Sequence, residues 1–179
     1  MKILISGGCK NGKSYYAQHL AASQTKKGKP LYYIATMIPS DGEDQDRIKR
    51  HRAEREGWGF ITLEQPRDIH SVLNRVDPEG SFLLDSTTAL LANEMFPANG
   101  EINTGAYIKI REDLRRLAGS FADMVIVSDG IYSDACVYDQ LVEGYRKGLA
   151  AIDRDMAVVC DSVLEISFGN VITHKEKGV

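Results

Sequence analysis

The sequence predicts an α/β protein with a mostly parallel sheet and helices on both faces. Short apolar runs alternate with helix-length patterns along the 179 residues, and several of these runs are hydrophobic throughout. Strands that are apolar on both sides belong to parallel sheets covered by helices. The length is that of one domain, so we expect a single domain over residues 1–179.

The predicted strands are short apolar runs, most of them bounded by polar or turn-forming residues. They cover residues 3–5, 31–35, 60–63, 82–84, 124–127, 163–166 and 171–173. Ligands bind at the carboxyl ends of strands in open α/β sheets. We therefore expect the ligand site in the polar loops that follow the strands.

The predicted helices have longer patterns, and in residues 106–121 the apolar positions Ile108, Leu114, Leu117 and Phe121 follow a helical rhythm. The predicted helices cover residues 13–26, 46–56, 69–76, 88–96, 106–121 and 138–159. Two polar loops, 40–46 and 128–134, follow predicted strands.

Composition excludes several classes of protein. Apolar residues make up 43% and charged residues 26% of the chain, which is ordinary for a globular protein and argues against a disordered or fibrous one. The net charge of −3 is unlike the strongly basic domains that bind nucleic acid. Cys9, Cys136 and Cys160 are too few and too scattered for a disulfide framework or a zinc knuckle.

The amino terminus has an apolar run of only three residues, shorter than a secretory signal needs. No stretch approaches the roughly 20 apolar residues of a membrane-spanning helix. We therefore expect a cytoplasmic protein without a membrane span.

The loop after the first strand fits the phosphate-binding pattern G-x-x-x-x-G-K-[ST] without a mismatch. Its residues are Gly7, Gly8, Cys9, Lys10, Asn11, Gly12, Lys13 and Ser14. In this pattern the glycines let backbone N–H groups face phosphate oxygens, Lys13 reaches the β- and γ-phosphates, and Ser14 offers a hydroxyl to Mg²⁺. A chance glycine-rich turn is the alternative, but the strand before it and the helix after it favour a P-loop NTPase-like domain.

The second candidate is a histidine within a basic helical segment. Arg47, His51 and Arg55 are spaced four residues apart and so share one helix face. Neighbouring guanidinium groups disfavour the imidazolium form, and a neutral imidazole is what a nucleophile needs. The alternatives are a solvated basic face that includes a histidine, or a helix that contacts nucleic acid.

Carboxylates follow two predicted strands. Asp85 is suited either to holding Mg²⁺ or a ribose hydroxyl, or to capping the next helix. Asp129 and Asp134 lie in the loop after residues 124–127, where they either contact substrate or metal or serve as turn residues. Trp58 is either a stacking platform for a ring or a partly buried anchor.

Taken together, these motifs resemble the bifunctional adenosylcobinamide kinase / adenosylcobinamide-phosphate guanylyltransferase family of cobalamin biosynthesis. The phosphate loop alone is common to many families, whereas its pairing with R-I-x-x-H-[RK] about 35 residues later is much more specific. The matching segments are residues 3–8 with 12–14, 33–37, 47–52, 83–85, 92–96, 133–139 and the closing pattern at 163–177.

The resemblance implies two reactions, and the phosphate-loop motif implies that they use Mg²⁺. A nucleoside triphosphate (GTP, or ATP) phosphorylates the aminopropanol hydroxyl of adenosylcobinamide, and GTP transfers GMP through a histidine, here His51, to the phosphorylated corrinoid. It also implies a homotrimer and a nucleotide site that includes further residues beyond the phosphate loop. These are Ala35, Thr36, Met37, Arg52, Ala53, Glu54, Arg55, Glu64 and Asp85. We expect Ser14 and Asp85 to hold the metal, and Lys13 and His51 to be the catalytic residues.

The chain departs from the family pattern at three places. The family usually has Glu at the position of Asp85, Asn-Glu at Asp129-Gly130 and an Asn-Gln-like pair at Asp153-Arg154. These regions are expected to serve the corrinoid or the kinase step. Two alternative functions stay open: a P-loop small-molecule kinase without a covalent intermediate, and a GTP-binding regulatory protein that has lost catalysis.

Overall fold

The computed structural model describes residues 1–39 and 42–177, apart from the side chains at positions 43, 44 and 47. Within these residues, seven strands form one sheet. They are β1 (Lys2–Gly7), β2 (Leu31–Ala35), β3 (Phe60–Glu64), β4 (Ser81–Asp85), β5 (Asp123–Val127), β6 (Ser162–Ser167) and β7 (Asn170–Glu176).

Helices connect the parallel strands. They are α1 (Lys13–Gln24), α2 (Gly42–Glu54), a 3₁₀ helix (Ile69–Arg75), α3 (Thr87–Met95), α4 (Ala106–Ser120) and α5 (Gln140–Val159). None of the helices described has the length and apolarity that a bilayer crossing requires.

The strand order across the sheet is β3-β2-β4-β5-β1-β6-β7. Every pairing is parallel except that of β7 with β6. The strand that begins the phosphate loop, β1, therefore lies between β5 and β6, and β4 lies one strand further away. This order brings the carboxyl ends of β1, β5 and β4 to one edge, where the loops after Gly7, Val127 and Asp85 meet.

In the described part of the chain the core forms a cluster on each face of the sheet. On one face, Ile5 and Val125 pack with Ala17 and Ala21 of α1. On the other face, residues such as Leu84 pack with α3, α4, α5 and the 3₁₀ helix. Alternate residues of a strand point to opposite faces, so strands that are apolar at successive positions supply both clusters. The predicted α/β architecture is confirmed.

Several predicted helix boundaries are wrong, for local reasons. The last helix begins at Gln140 rather than at Tyr138, because the Asp139 side chain accepts hydrogen bonds from the backbone N–H groups of Leu141 and Val142 and so caps it. The helix predicted over residues 69–76 is a 3₁₀ helix that ends at Arg75. The basic helix begins at Gly42, earlier than position 46, and the first helix ends at Gln24.

The last two strands form a hairpin. Phe168 and Gly169 both have positive φ angles, 49° and 75°, in the two-residue turn between β6 and β7. Such a turn reverses the chain directly and makes an antiparallel pair. β7 is exposed along its whole length and forms an edge of the sheet.

Candidate active site

The phosphate loop joins β1 to α1 as the sequence predicts. Gly12 has a φ of 90° directly before α1, and Gly7 has a φ of 148°. A side chain at Gly7 would meet the Ile166 carbonyl oxygen at 2.3 Å, so this position needs glycine for space as well as for conformation. The Asn11 amide anchors the loop by donating a hydrogen bond to the same carbonyl.

Lys13 is buried beneath this loop, with 5% of its surface exposed. Its Nζ donates to the Gly8 carbonyl at 2.6 Å and lies 2.8 Å from Oδ1 of Asp129. Asp129 directly follows Ser128 at the end of β5, and its backbone N–H donates to the Thr88 hydroxyl at 3.0 Å. Of the two alternatives for Asp129, the structure therefore favours a site residue over an ordinary turn residue.

A cavity of about 900 Å³ lies at the phosphate loop and contains both predicted catalytic residues. The loop residues that line it are Cys9, Lys10, Asn11, Gly12, Lys13 and Ser14. Across the cavity stand His51 and Glu54 of α2, with Asp85 and Asp129 at the strand ends. The phosphate loop and the basic helix, which are far apart in sequence, thus face the same space.

His51 lies beside a carboxylate of its own helix. Its Nδ1 lies 3.3 Å from Oε2 of Glu54, three residues later on α2. The sequence predicts that His51 lies between Arg47 and Arg55 on one helix face. The Arg47 side chain lies outside the described residues. Arg55 turns toward the sheet, and its guanidinium lies 4.0 Å from the centre of the Tyr33 ring. A neutral imidazole whose Nδ1–H faces a carboxylate carries its lone pair on Nε2, the atom that a nucleophilic histidine would use.

A second cavity, of about 340 Å³, adjoins the first at His51 and Asp85, which line both. Its apolar lining includes Tyr33, Ala35 and Met37. Its polar lining includes Arg52, Arg55, Thr62, Glu64 and Ser86. A small, mostly apolar cavity with a few polar groups is typical of a site for one organic ligand.

Asp85 is held by a hydrogen bond from the neighbouring strand. The Tyr33 hydroxyl donates to Oδ2 of Asp85 at 2.8 Å. The cap of α3 is Ser86, whose hydroxyl accepts from the Ala89 N–H, so Asp85 is not the capping residue.

Burial lowers the pKa of Arg55, which packs on Tyr33 and donates to the Thr62 hydroxyl at 3.3 Å.

The residues present suit a magnesium ion bound together with phosphates. Ser14 and Asp85 line the same cavity, and hydroxyl and carboxylate oxygens are ligands that Mg²⁺ prefers. Among the described residues no group of three or more His, Cys, Asp or Glu side chains could hold a metal by itself. An ion bound here would therefore depend on phosphate oxygens and water for its remaining ligands.

Some of the predicted nucleotide-binding residues do not line these two cavities. Gly7 and Gly8 line a neighbouring cavity on the α5 side of the sheet. Thr36 is fully buried, and its hydroxyl donates to the Ser86 carbonyl at 2.8 Å, which joins the loops after β2 and β4. Ala53 is exposed on α2.

Tyr33 is a site residue that sequence reasoning missed. Tyr33 is the third residue of an apolar strand, a position that is typical of the core. Its hydroxyl reaches Asp85 because β2 pairs with β4, where Tyr33 lies opposite Leu83.

Trp58 lies against His19, with ring centres 4.2 Å apart, and therefore acts as an anchor. Asp134 pairs with Arg146 outside both cavities.

Comparison with known proteins gives matches to one family. Residues 3–173 match the family model described as cobinamide kinase / cobinamide phosphate guanyltransferase. The bifunctional adenosylcobalamin biosynthesis protein CobP of Pseudomonas aeruginosa is 41% identical over 94 residues, which is 52% of this chain and 52% of that protein. CobU of Escherichia coli is 34% identical over 104 residues, which is 56% of this chain and 54% of that protein. The chain thus covers about half the length of these curated relatives.

Solved structures support the fold. One described as an ATPase domain has a TM-score of 0.57 at 14% identity, covering 98% of this chain and 77% of that one. The flagellar accessory protein FlaH of Methanocaldococcus jannaschii has a TM-score of 0.56 at 14% identity, covering 99% and 80%. At such identities the likeness concerns the P-loop NTPase-type α/β fold alone.

The family match spans nearly the whole sequence, and the phosphate loop and His51 face one cavity. We conclude that the chain belongs to the cobinamide kinase / cobinamide phosphate guanyltransferase family.

Proposed function

We propose that the protein phosphorylates adenosylcobinamide and then transfers GMP from GTP, through a guanylyl-histidine at His51, to the phosphorylated corrinoid. The observation that carries this proposal is the position of His51, which lines both the phosphate-loop cavity and the smaller cavity beside it. A nucleotide with its phosphates in the first cavity and its nucleoside in the second has its α-phosphate near His51.

In the guanylylation step, Nε2 of His51 attacks the α-phosphorus of GTP. An N–P bond forms, the bond from that phosphorus to the bridging oxygen breaks, and pyrophosphate leaves. The Glu54 carboxylate, whose Oε2 lies 3.3 Å from Nδ1, favours the tautomer that carries its proton on Nδ1 and its lone pair on Nε2. A phosphate oxygen of the corrinoid phosphate then attacks the same phosphorus, which breaks the N–P bond and gives adenosylcobinamide-GDP.

In the kinase step, the hydroxyl oxygen of the acceptor attacks the γ-phosphorus, and the bond from that phosphorus to the bridging oxygen breaks. The nucleoside diphosphate leaves, and the hydroxyl proton passes to water. Lys13 and the backbone N–H groups of the loop hold the phosphates and balance their charge. A magnesium ion held by Ser14 and Asp85 would supply further positive charge at the phosphate oxygens. GTP is the proposed donor for guanylylation, and either GTP or ATP serves the kinase step.

Covalent labelling with GTP that carries its label on the α-phosphate tests the proposal. We expect label on the wild-type chain, lost in acid and stable in base as a phosphoramidate is, and no label on His51→Ala. His70→Ala is the control, because His70 lies on the 3₁₀ helix away from both cavities. Label retained by His51→Ala would contradict the assignment.

Assays of turnover and of GTP binding, run beside the labelling, separate the alternative functions. Corrinoid-dependent turnover without label on the wild type would indicate a kinase without a covalent intermediate. GTP binding with neither turnover nor label would indicate a regulatory protein. The homotrimer stays a prediction from the family resemblance, and the cytoplasmic location stays one from the sequence. Light scattering on the purified protein tests the oligomeric state.

A further inference from the structure

The loop after β5 brings Asp129 to the phosphate end of the larger cavity, where the steps above give it no role. Asp129 lines that cavity together with Lys13 and other residues of the phosphate loop. Its Oδ1 lies 2.8 Å from Nζ of Lys13, the cation expected at the β- and γ-phosphates. A carboxylate that lies this close to Lys13 also lies close to the expected position of the terminal phosphate.

Backbone hydrogen bonds to β1 fix the chain on both sides of Asp129. The Ser128 N–H donates to the Ile5 carbonyl at 2.9 Å, and the Gly130 N–H donates to the Gly7 carbonyl at 3.1 Å. Because β1 leads directly into the phosphate loop, these bonds hold Asp129 in one position relative to the bound phosphates. A reacting group needs such a fixed position, since a displacement of about 1 Å can lower a rate about a hundredfold.

Residues of α3 and α5 restrain the same segment further. The Asp129 N–H donates to the Thr88 hydroxyl of α3 at 3.0 Å. The Ser128 hydroxyl donates to Oδ2 of Asp153 in α5 at 2.6 Å, and Asp153 is almost fully buried. Asp129 and Asp153 are both positions at which this chain departs from the family pattern. The structure therefore joins these two departures in one hydrogen-bonded network at the phosphate end of the site.

The ion pair with Lys13 leaves the Asp129 carboxylate able to act on a substrate. The pair is made by Oδ1, and a carboxylate can accept hydrogen bonds at both of its oxygens. A bound triphosphate attracts Lys13 and so weakens its hold on Asp129. The carboxylate is then a proton acceptor beside the phosphoryl group that is to be transferred.

We propose that Asp129 is the catalytic residue that accepts the proton of the attacking hydroxyl in the kinase step. This inference rests on the proposed function, because it assigns a further residue to one of its two reactions. The hydroxyl oxygen forms a bond to the γ-phosphorus, its O–H bond breaks, and the proton moves to the Asp129 carboxylate. The bond from that phosphorus to the bridging oxygen breaks, and the nucleoside diphosphate leaves with the electron pair. Asp129 then passes the proton to water.

Guanylylation of His51 does not need this group. Nε2 of His51 attacks with the lone pair of a neutral imidazole, and no hydroxyl proton is removed in that step. Loss of the Asp129 carboxylate is therefore expected to impair one reaction and not the other. This difference distinguishes a proton acceptor from a residue that only holds Lys13, because Lys13 contacts the nucleotide in both reactions.

The test is steady-state phosphorylation of cobinamide by the full chain, together with labelling of the same proteins by α-phosphate-labelled GTP. General-base catalysis contributes about a hundredfold to ten-thousandfold. We expect Asp129→Asn to lower kcat at least a hundredfold, without raising the KM for the nucleotide, and still to take label on His51. Asp129→Glu should lower kcat about tenfold, because it keeps a carboxylate on a longer side chain.

The matched control is Asp134→Asn, which removes a carboxylate of the same loop that pairs with Arg146. It should keep the wild-type kcat within about twofold. If Asp129→Asn does not fold, Asp129→Glu decides the matter, because it preserves the charge opposite Lys13. A tenfold lower kcat with label retained would then support the inference, and an unchanged kcat would overturn it.

The outcomes separate the inference from the proposed function. A wild type that never phosphorylates cobinamide would contradict the proposed function itself. An active wild type whose Asp129→Asn variant keeps kcat within about threefold would overturn the inference and leave the function standing. A parallel fall of kcat and label in Asp129→Asn would also overturn it, since that result indicates a role in holding Lys13 alone.

Discussion

The Nζ of Lys13 lies 2.8 Å from the Asp129 carboxylate, so the cation expected to hold the phosphates already has an anionic partner. Both side chains are largely shielded from water, with 6% and 18% of their surfaces exposed. A triphosphate that reaches Lys13 must compete with Asp129 for the same positive charge. This ion pair therefore links nucleotide affinity to the loop after β5.

We expect Asp129→Asn to destabilise the nucleotide-free protein and to increase the stabilisation that GTP provides without Mg²⁺. Breaking one side of a buried ion pair leaves an uncompensated charge and lowers the free energy of unfolding by about 3 kcal/mol. A bound triphosphate would then neutralise Lys13. Denaturant unfolding with and without GTP measures both effects. The control is Asp134→Asn, whose carboxylate pairs with Arg146 in the same loop region; equal GTP effects in all three proteins would contradict the prediction.

We expect Lys13→Ala to weaken triphosphate binding by roughly tenfold to a hundredfold. A charge-assisted hydrogen bond contributes about 1.5–3 kcal/mol, and each 1.4 kcal/mol corresponds to a factor of about ten in affinity. The unpaired Asp129 carboxylate would add repulsion. Equilibrium titration with GTP measures the change, and Lys27→Ala, in the exposed segment after α1, is the control. Unchanged affinity in Lys13→Ala would count against the phosphate-loop assignment.

We expect Tyr33→Phe to raise the Mg²⁺ concentration needed for half-maximal GTP binding by about threefold to tenfold. The Tyr33 hydroxyl orients Asp85, and removing a group that orients a metal ligand weakens metal binding. Titration of Mg²⁺ at fixed GTP measures this change. Tyr32→Phe is the matched control, because the Tyr32 hydroxyl instead accepts from the Asp77 N–H. The same shift in both variants would show that the effect is not specific to Asp85.

We expect the free energy of unfolding of Asp153→Asn, relative to that of the wild type, to be higher at neutral than at acidic pH. Burial raises the pKa of Asp153 to about 6, and the nearby charge of Asp129 adds to this effect, while hydrogen bonds from Ser128, Tyr132 and Thr87 oppose it. The folded protein therefore holds this proton at pH values where the unfolded chain, with an ordinary pKa of about 3.8, has lost it. The contribution of this group to the wild-type free energy of unfolding falls as pH rises from about 4 to 6.

The Asp153→Asn variant has no such proton, so its free energy of unfolding lacks this pH-dependent contribution. Its stability relative to the wild type should increase by about 2 kcal/mol between about pH 4.5 and pH 7.5, since one pKa unit corresponds to about 1.36 kcal/mol. Urea unfolding at the two pH values measures the difference. Glu101→Gln, in an exposed loop, serves as the control. A pH-independent difference for Asp153→Asn would show that its carboxyl titrates normally.

By itself the sequence determined the α/β class, the order of strands and helices and the phosphate loop, and it singled out His51 as the candidate nucleophile. These features depend on local patterns: apolar runs, glycine spacing and a short motif with a fixed sequence of residue types. Helix boundaries were less well predicted, because caps such as Asp139 depend on backbone geometry that neighbouring residues set.

Only the tertiary structure decided which side chains meet. Asp129 reaches Lys13 because β5 pairs with β1, and Tyr33 reaches Asp85 because β2 pairs with β4. Asp153 accepts hydrogen bonds from Ser128 and Tyr132 because α5 packs against this end of the sheet. Pairings between strands and the burial of polar atoms depend on long-range packing, which no local pattern of residues specifies.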